Sequence, residues 1–73
     1  MSDYHINVFY SDEDEAYIAD IPDLTYCSAI GSTPEEAVRE VQLAKTAWIE
    51  AAQASGKPVP APLYRPAIYQ TAS

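Results

Sequence analysis

Few residues in this sequence are of the types that carry out chemistry, and their spacing limits what they can do. His5 is the only histidine and Cys27 the only cysteine among 73 residues. A histidine acts as a general base when a nucleophile or an acid stands beside it. His5 sits in an alternating stretch, on the parity opposite Tyr4 and Ile6, and reads as a sheet-face residue. Cys27 would be a nucleophile if nearby positive charge stabilised its thiolate. No basic residue is close to it in sequence, so it reads as a small core residue. The carboxylates Asp12, Glu13, Asp14 and Glu15 lack the glycine and the twelve-position spread of a calcium loop, and read as a solvated turn. Asp20 and Asp23 flank Pro22 and could contribute to a magnesium site, but two carboxylates on one turn do not complete one. There is no glycine-rich phosphate loop, zinc-ligand spacing or nucleophile elbow. The expectation is a chain without catalytic residues, cofactor or metal.

Composition narrows the classes further. Eleven acidic residues against four basic ones give a net charge of −7. Nucleic-acid surfaces need clustered Lys and Arg to displace counterions from phosphate. Arg39, Lys45, Lys57 and Arg65 are scattered, which argues against direct DNA or RNA binding. The same charge attracts a basic partner and speeds its encounter. One unpaired cysteine fits a reducing cytoplasm. No basic-then-apolar leader and no apolar run near 18 residues is present, so neither a signal peptide nor a membrane span is expected.

Hydrophobic periodicity divides the chain into strands and then one helix. Tyr4, Ile6, Val8 and Tyr10 alternate with His5, Asn7 and Phe9, which predicts a half-buried strand over 4–10. The polar run Ser11–Asp14 predicts a hairpin turn. A second strand follows over 15–21, with Tyr17, Ala19 and Ile21 alternating against Ala16, Ile18 and Asp20, and Pro22-Asp23 stops it. A third is predicted over 25–30, Tyr26, Ser28 and Ile30 against Thr25, Cys27 and Ala29. Three short strands with short links favour an antiparallel meander.

At Gly31 the period changes. Gly31 can take a backbone angle that other residues avoid. Thr33-Pro34-Glu35-Glu36 then combines a cap residue, a proline suited to the first helical position and a glutamate three residues after the cap, a capping box. The helix is predicted over 34–55, with Ala37, Val38, Val41, Ala44, Trp48, Ile49 and Ala52 on one stripe covering one sheet face. Lys45 falls within that stripe, its stem along the core margin and its charge in water. Leu43 falls on the charged side, exposed in a monomer. Gly56 is the natural end of the helix. The Pro-rich link 57–62 is extended, and Leu63 to Gln70 is predicted as a last strand that Pro66 confines to an edge. The fold class is therefore α+β, β-β-β-α-β, in a single domain over 1–73. A domain of this size buries only about 60% of the surface its unfolded chain exposes. Without disulfide or metal, self-association or a partner is the natural supplement, and a homo-oligomer, dimer or larger, is expected.

The runs Ala19-Asp20-Ile21-Pro22-Asp23-Leu24-Thr25-Tyr26-Cys27 and Ala29-Ile30-Gly31-Ser32-Thr33-Pro34-Glu35-Glu36-Ala37, with Gly56-Lys57-Pro58-Val59-Pro60 after the helix, resemble the HicB antitoxin family. The resemblance extends from about Tyr4 to Pro62. Two features depart from it. The family often has Pro-Gly where Thr25-Tyr26 stand, which implies a less turn-like entry into the third strand and a different surface around it. Many members also continue into a ribbon-helix-helix or helix-turn-helix domain, and the short form without one is expected here.

The resemblance implies the antitoxin half of a toxin–antitoxin pair. Its partner would be a HicA-like toxin, a small basic protein of double-stranded-RNA-binding-like fold that cleaves mRNA with a histidine, masked by steric occlusion. An acidic surface complements a basic RNA-binding one. Charge makes Asp12, Glu13, Asp14, Asp20 and Asp23 the candidate toxin contacts. The alternative is a stand-alone homo-oligomeric interaction module without a toxin. Leu43, Tyr64, Ile68 and Tyr69 are its candidate self-interface, since tyrosine is favoured at interfaces. A third reading, an acidic-site nuclease of RNase H-like layout, would need Asp20 to hold magnesium.

Overall fold

The structure is a computed structural model that describes residues 3–66. Strands β1 (Asn7–Ser11), β2 (Ala16–Asp20) and β3 (Ser28–Gly31) precede a single helix, α1 (Pro34–Ala54). The strands form an antiparallel meander in the order β1-β2-β3. The fold is α+β, as the periodicity predicts.

The two strand starts that move furthest, by three residues each, do so for backbone reasons. β1 begins at Asn7 rather than Tyr4, because its pairing ends at Asn7 opposite Asp20. The Ile21 N–H turns instead to the Cys27 carbonyl at 3.0 Å, and Pro22 has no N–H to offer. β3 begins at Ser28 rather than Thr25. The Cys27 N–H closes a turn onto the Leu24 carbonyl at 3.1 Å, with Tyr26 at φ 61°. The entry to β3 is thus a tight turn after all, formed without the Pro-Gly pair. A tyrosine in the left-handed region is an outlier that costs on the order of 1 kcal/mol. Glu15, at φ 50°, takes the same conformation at the end of the β1–β2 hairpin. That hairpin is also held by Ser11 Oγ, which donates to Asp14 at 2.9 Å and accepts from its N–H.

The helix start follows the sequence closely. The extended Thr33 caps the helix by accepting the Glu36 N–H at 3.1 Å, with Pro34 in the first turn. The Glu36 carboxylate reaches back one residue further than a capping box requires and accepts the Ser32 N–H at 2.8 Å. At the other end Gly56 takes φ 70°. The Lys57 N–H bonds Ala52 and the Gly56 N–H bonds Gln53, so two end carbonyls of the helix are satisfied.

Gly31 serves a purpose other than backbone freedom. Its φ is not positive; it is buried beneath the first turn of α1. A Cβ placed there would stand 2.5 Å from the Ala37 nitrogen and 2.9 Å from its Cα. Glycine at this position lets the helix backbone lie directly on the sheet. The core beneath it is Ala19, Ile21, Leu24, Cys27, Ala37 and Val41, with Tyr4, Ile6, Tyr17, Ala29, Ala44 and Trp48 packed around it. The helix lies over β3 and β2 and barely reaches β1. Lys45 differs from expectation in one respect: its ammonium is not free in water but lies 3.1 Å from Asp3. Leu43 is exposed as its position on the helix predicts.

After the helix, residues 57–66 carry no strand pairing. The expected last strand over 63–70 is therefore not formed in its first four residues, and 67–70 lie outside the described residues. Residues 60–64 are instead held by side chains. The Tyr4 hydroxyl donates to the Pro60 carbonyl, and the Asp23 carboxylate accepts the Leu63 N–H at 3.2 Å and the Tyr64 N–H at 3.1 Å.

Replacing Gly31 with alanine should destabilise the fold by about 1–3 kcal/mol, because the clash is with backbone that cannot rotate away. Thr33→Ala, which only removes a cap, should cost about 1 kcal/mol. Urea unfolding midpoints compare the two. A wild-type midpoint for Gly31→Ala would mean that the helix can retreat from the sheet.

Candidate functional site

The residues with chemical potential are placed in separate surroundings. His5 Nε2 lies 2.8 Å from Asn7 Oδ1, and its ring stacks at a tilt on Tyr64, centroids 4.7 Å apart. No nucleophile or acid is hydrogen-bonded to it among the described residues. Cys27 is buried beside Ile21 and Leu24. Burial, with the Asp20 charge adding to it, pushes its thiol above the ordinary value. A neutral, enclosed thiol is a packing group. No three His, Cys, Asp or Glu side chains gather as metal ligands among the described residues.

The five carboxylates proposed from charge are not brought together. Asp12, Glu13 and Asp14 occupy the β1–β2 turn, whereas Asp20 and Asp23 lie at the opposite end of β2. At about 3.3 Å per residue, the five residues of β2 separate the groups by roughly 17 Å. Gly31 pairs with Tyr17, so the helix N-terminus shares the end of the sheet that carries the acidic turn. Asp12, Glu13, Asp14, Glu15, Glu35 and Glu36 are all at that end, six of the eleven acidic residues. Asp3, by contrast, is at the margin with Lys45. The Tyr4 N–H at 2.7 Å, and after it the Lys45 ammonium, hold its carboxyl below the usual value. Asp23 spends its carboxylate on the backbone of Leu63 and Tyr64.

The apolar surface was less legible. Cross-strand register places Phe9, Ile18 and Ile30 in one row on the face opposite the helix, with Phe9 and Ile30 half exposed. On the helix side Val8 and Tyr10 are also exposed, because α1 covers β2 and β3 instead. Tyr10 keeps an edge contact with Tyr17, its pairing partner, at 5.2 Å. Alternation predicts a half-buried β1, but the position of the helix across the sheet, which leaves Val8 and Tyr10 bare, is not encoded in that alternation. Tyr26, taken from sequence as a strand residue, is 98% exposed at the tip of the 21–27 loop. Beside that loop, Trp48 donates its indole N–H to the Thr25 carbonyl at 2.9 Å. Trp48 also lines an open groove of about 430 Å³ with Ala51, Ala52, Ser55, Lys57 and Pro58. The site available is therefore a set of binding surfaces: an acidic end, an apolar row and edge strand, and a projecting aromatic loop.

Residues 4–70 match the model of the HicB-like antitoxins of bacterial toxin–antitoxin systems. The chain belongs to the HicB-like antitoxin family. It is also 36% identical over 53 residues, 73% of each chain, to the UPF0150 protein ssl0259 of Synechocystis sp.. No solved structure matches it. No helix among the described residues is long and apolar enough to cross a membrane.

The Cys27 environment sets a pH test. A thiol raised in the fold contributes stability that is fully present below the unfolded thiol value and is lost as pH rises through the raised folded value. Stability should therefore fall on the alkaline side, and less so in Cys27→Ala after allowance for its packing loss. Native alkylation by iodoacetamide at pH 7.5, followed by mass spectrometry, should be at least roughly tenfold slower than in urea. Rapid native labelling would show an accessible, reactive thiolate.

Proposed function

We propose that this chain is the antitoxin of a type II toxin–antitoxin pair. It masks a small basic HicA-like mRNA-cleaving toxin in the cytoplasm, by occlusion and without catalysis of its own. The observation that carries this reading is the polarity of the molecule: six carboxylates crowd one end of the sheet, and four of them form a single exposed turn. A field of that sign draws in a basic RNA-binding surface and, once in contact, competes with RNA for it. Asp12, Glu13 and Asp14 are the proposed steering contacts, and Asp20 lies where a bound toxin could reach it from the far end. Asp23 is a weaker contact, since its carboxylate is already occupied. The domain does not itself bind nucleic acid in this reading.

Co-expression with a HicA-like toxin should relieve the growth arrest the toxin causes. Persistent arrest despite soluble expression of both chains would count against the masking role. In stopped-flow binding to a toxin whose active-site histidine is replaced, Asp12→Asn/Glu13→Gln/Asp14→Asn together should slow association about tenfold at low salt and flatten its salt dependence. An unchanged association rate would move the contact elsewhere.

A second reading, self-association into a dimer or larger oligomer, is favoured by one feature. β1 presents Val8, Phe9 and Tyr10 as three consecutive exposed apolar residues, and no described strand pairs with its outer edge. Such an edge is a template for another chain. This shifts the proposed self-interface toward β1 from the expected Leu43 and Tyr64. Leu43 is exposed but isolated on the helix, Tyr64 is stacked on His5, and Ile68 and Tyr69 lie outside the described residues. Light scattering at micromolar concentration should find a dimer or larger, reduced toward monomer by Phe9→Asp. A wild-type monomer would sink this reading.

A further inference from the structure

The loop closure strains the backbone of Tyr26, and nothing in the described fold uses its side chain. Its backbone sits at φ 61°, where glycine is relaxed and a tyrosine is strained. Its side chain is 98% exposed and makes no hydrogen bond or ring contact with any described residue. The loop that carries it is nonetheless tied down by backbone hydrogen bonds and buried side chains. Ile21 and Cys27 are joined by a backbone bond of 3.0 Å, and the Leu24 N–H bonds Ile21 at 3.1 Å. Ile21, Leu24 and Cys27 are all buried, and Trp48 pins Thr25 from the helix. A large aromatic ring is thus presented to solvent on a rigid support, so docking it costs little ordering.

We infer that Tyr26 is the anchor by which this chain grips a basic protein partner, its ring packing against an Arg- or Lys-bearing surface. The inference rests on the antitoxin reading and adds to it the residue that holds the complex once charge has assembled it. The chemistry of the surroundings favours a cationic partner. The stretch Asp20–Ser28 contains two acidic residues and no basic one, and at Cys27, the residue next to Tyr26, the field of Asp20 outweighs the opposing one of Lys45. An exposed aromatic face on an acidic loop suits a guanidinium, which stacks on the ring while the loop's carboxylates attract its charge. The acidic turn lies beyond the far end of β2, at least roughly 17 Å from this loop. A standard interface of about 800 Å² per partner is roughly 30 Å across, so one small protein spans both.

Tyr26→Gly separates binding from folding because the two effects have opposite signs. The substitution relaxes the backbone, so its urea midpoint should rise. Its dissociation from a HicA-like toxin lacking the active-site histidine should be at least about tenfold faster, with association within about twofold of wild type. Tyr26→Phe, which keeps the ring, should dissociate at nearly the wild-type rate. If wild type binds and Tyr26→Gly leaves the dissociation rate unchanged, the anchor is refuted while the masking role stands. If wild type does not bind the toxin at all, the antitoxin reading itself fails and takes this partner with it. If Tyr26→Gly instead breaks up self-association in light scattering and leaves toxin binding intact, Tyr26 belongs to an interface between copies and the inference is overturned.

Discussion

The close approach of Ala37 to Gly31 is the contact on which the remaining architecture depends. It brings the first turn of α1 onto the end of β3 without an intervening side chain. The Thr33 cap and the Glu36 carboxylate fix the direction in which the helix leaves that point. Descending antiparallel to β3, the helix buries Ala37, Val41 and Ala52 and places Trp48 over the 21–27 loop. A helix set down so close to β3 covers β2 next and barely reaches β1. The exposed apolar edge is thus the geometric consequence of one glycine.

The same placement accounts for the rigidity of the 21–27 loop. Pro22 ends β2, and the chain must turn before it can re-enter the sheet as β3. It does so by burying Leu24 and Cys27 under the helix and closing hydrogen bonds between Ile21, Leu24 and Cys27. Two buried anchors separated by two residues force the intervening Thr25-Tyr26 into a tight turn, whatever their preferences. The left-handed backbone of Tyr26 is imposed by that closure. Buried contacts at both ends outweigh a local strain on the order of 1 kcal/mol.

Charge is distributed unevenly along the sheet axis. Acidic side chains at the hairpin and helix N-terminus are stable there for local reasons. The hairpin is solvated, and Glu35 and Glu36 face the positive end of the helix dipole. Their sum nonetheless gives the molecule one strongly negative end. Groups that could have been reactive are withdrawn into structure: Cys27 into the core, His5 into a stack with Tyr64, Asp23 into the backbone of the C-terminal segment.

Local pattern was enough to specify three strands and the helix, but not the fate of 63–66, where the expected last strand is not formed. Alternation marked the strands, and Thr33-Pro34-Glu35-Glu36 and Gly56 marked both ends of the helix to within a residue or two, because caps and turns are governed by neighbouring atoms. The packing role of Cys27 and the exposure of Leu43 were likewise readable from parity and helical position. What sequence did not decide was anything that depends on where one element lies across another. It assigned Gly31 to backbone freedom, whereas the need is space beneath Ala37. It extended β3 back to Thr25, since alternation continues through a turn whose closure depends on hydrogen bonds from Ile21. It grouped Asp12, Glu13 and Asp14 with Asp20 and Asp23, although β2 holds them at opposite ends. Element identity follows from residues three or four apart, so the chain alone determined it. Which faces remained bare, and which tyrosine was left standing in water, was decided only when one helix settled on two of three strands.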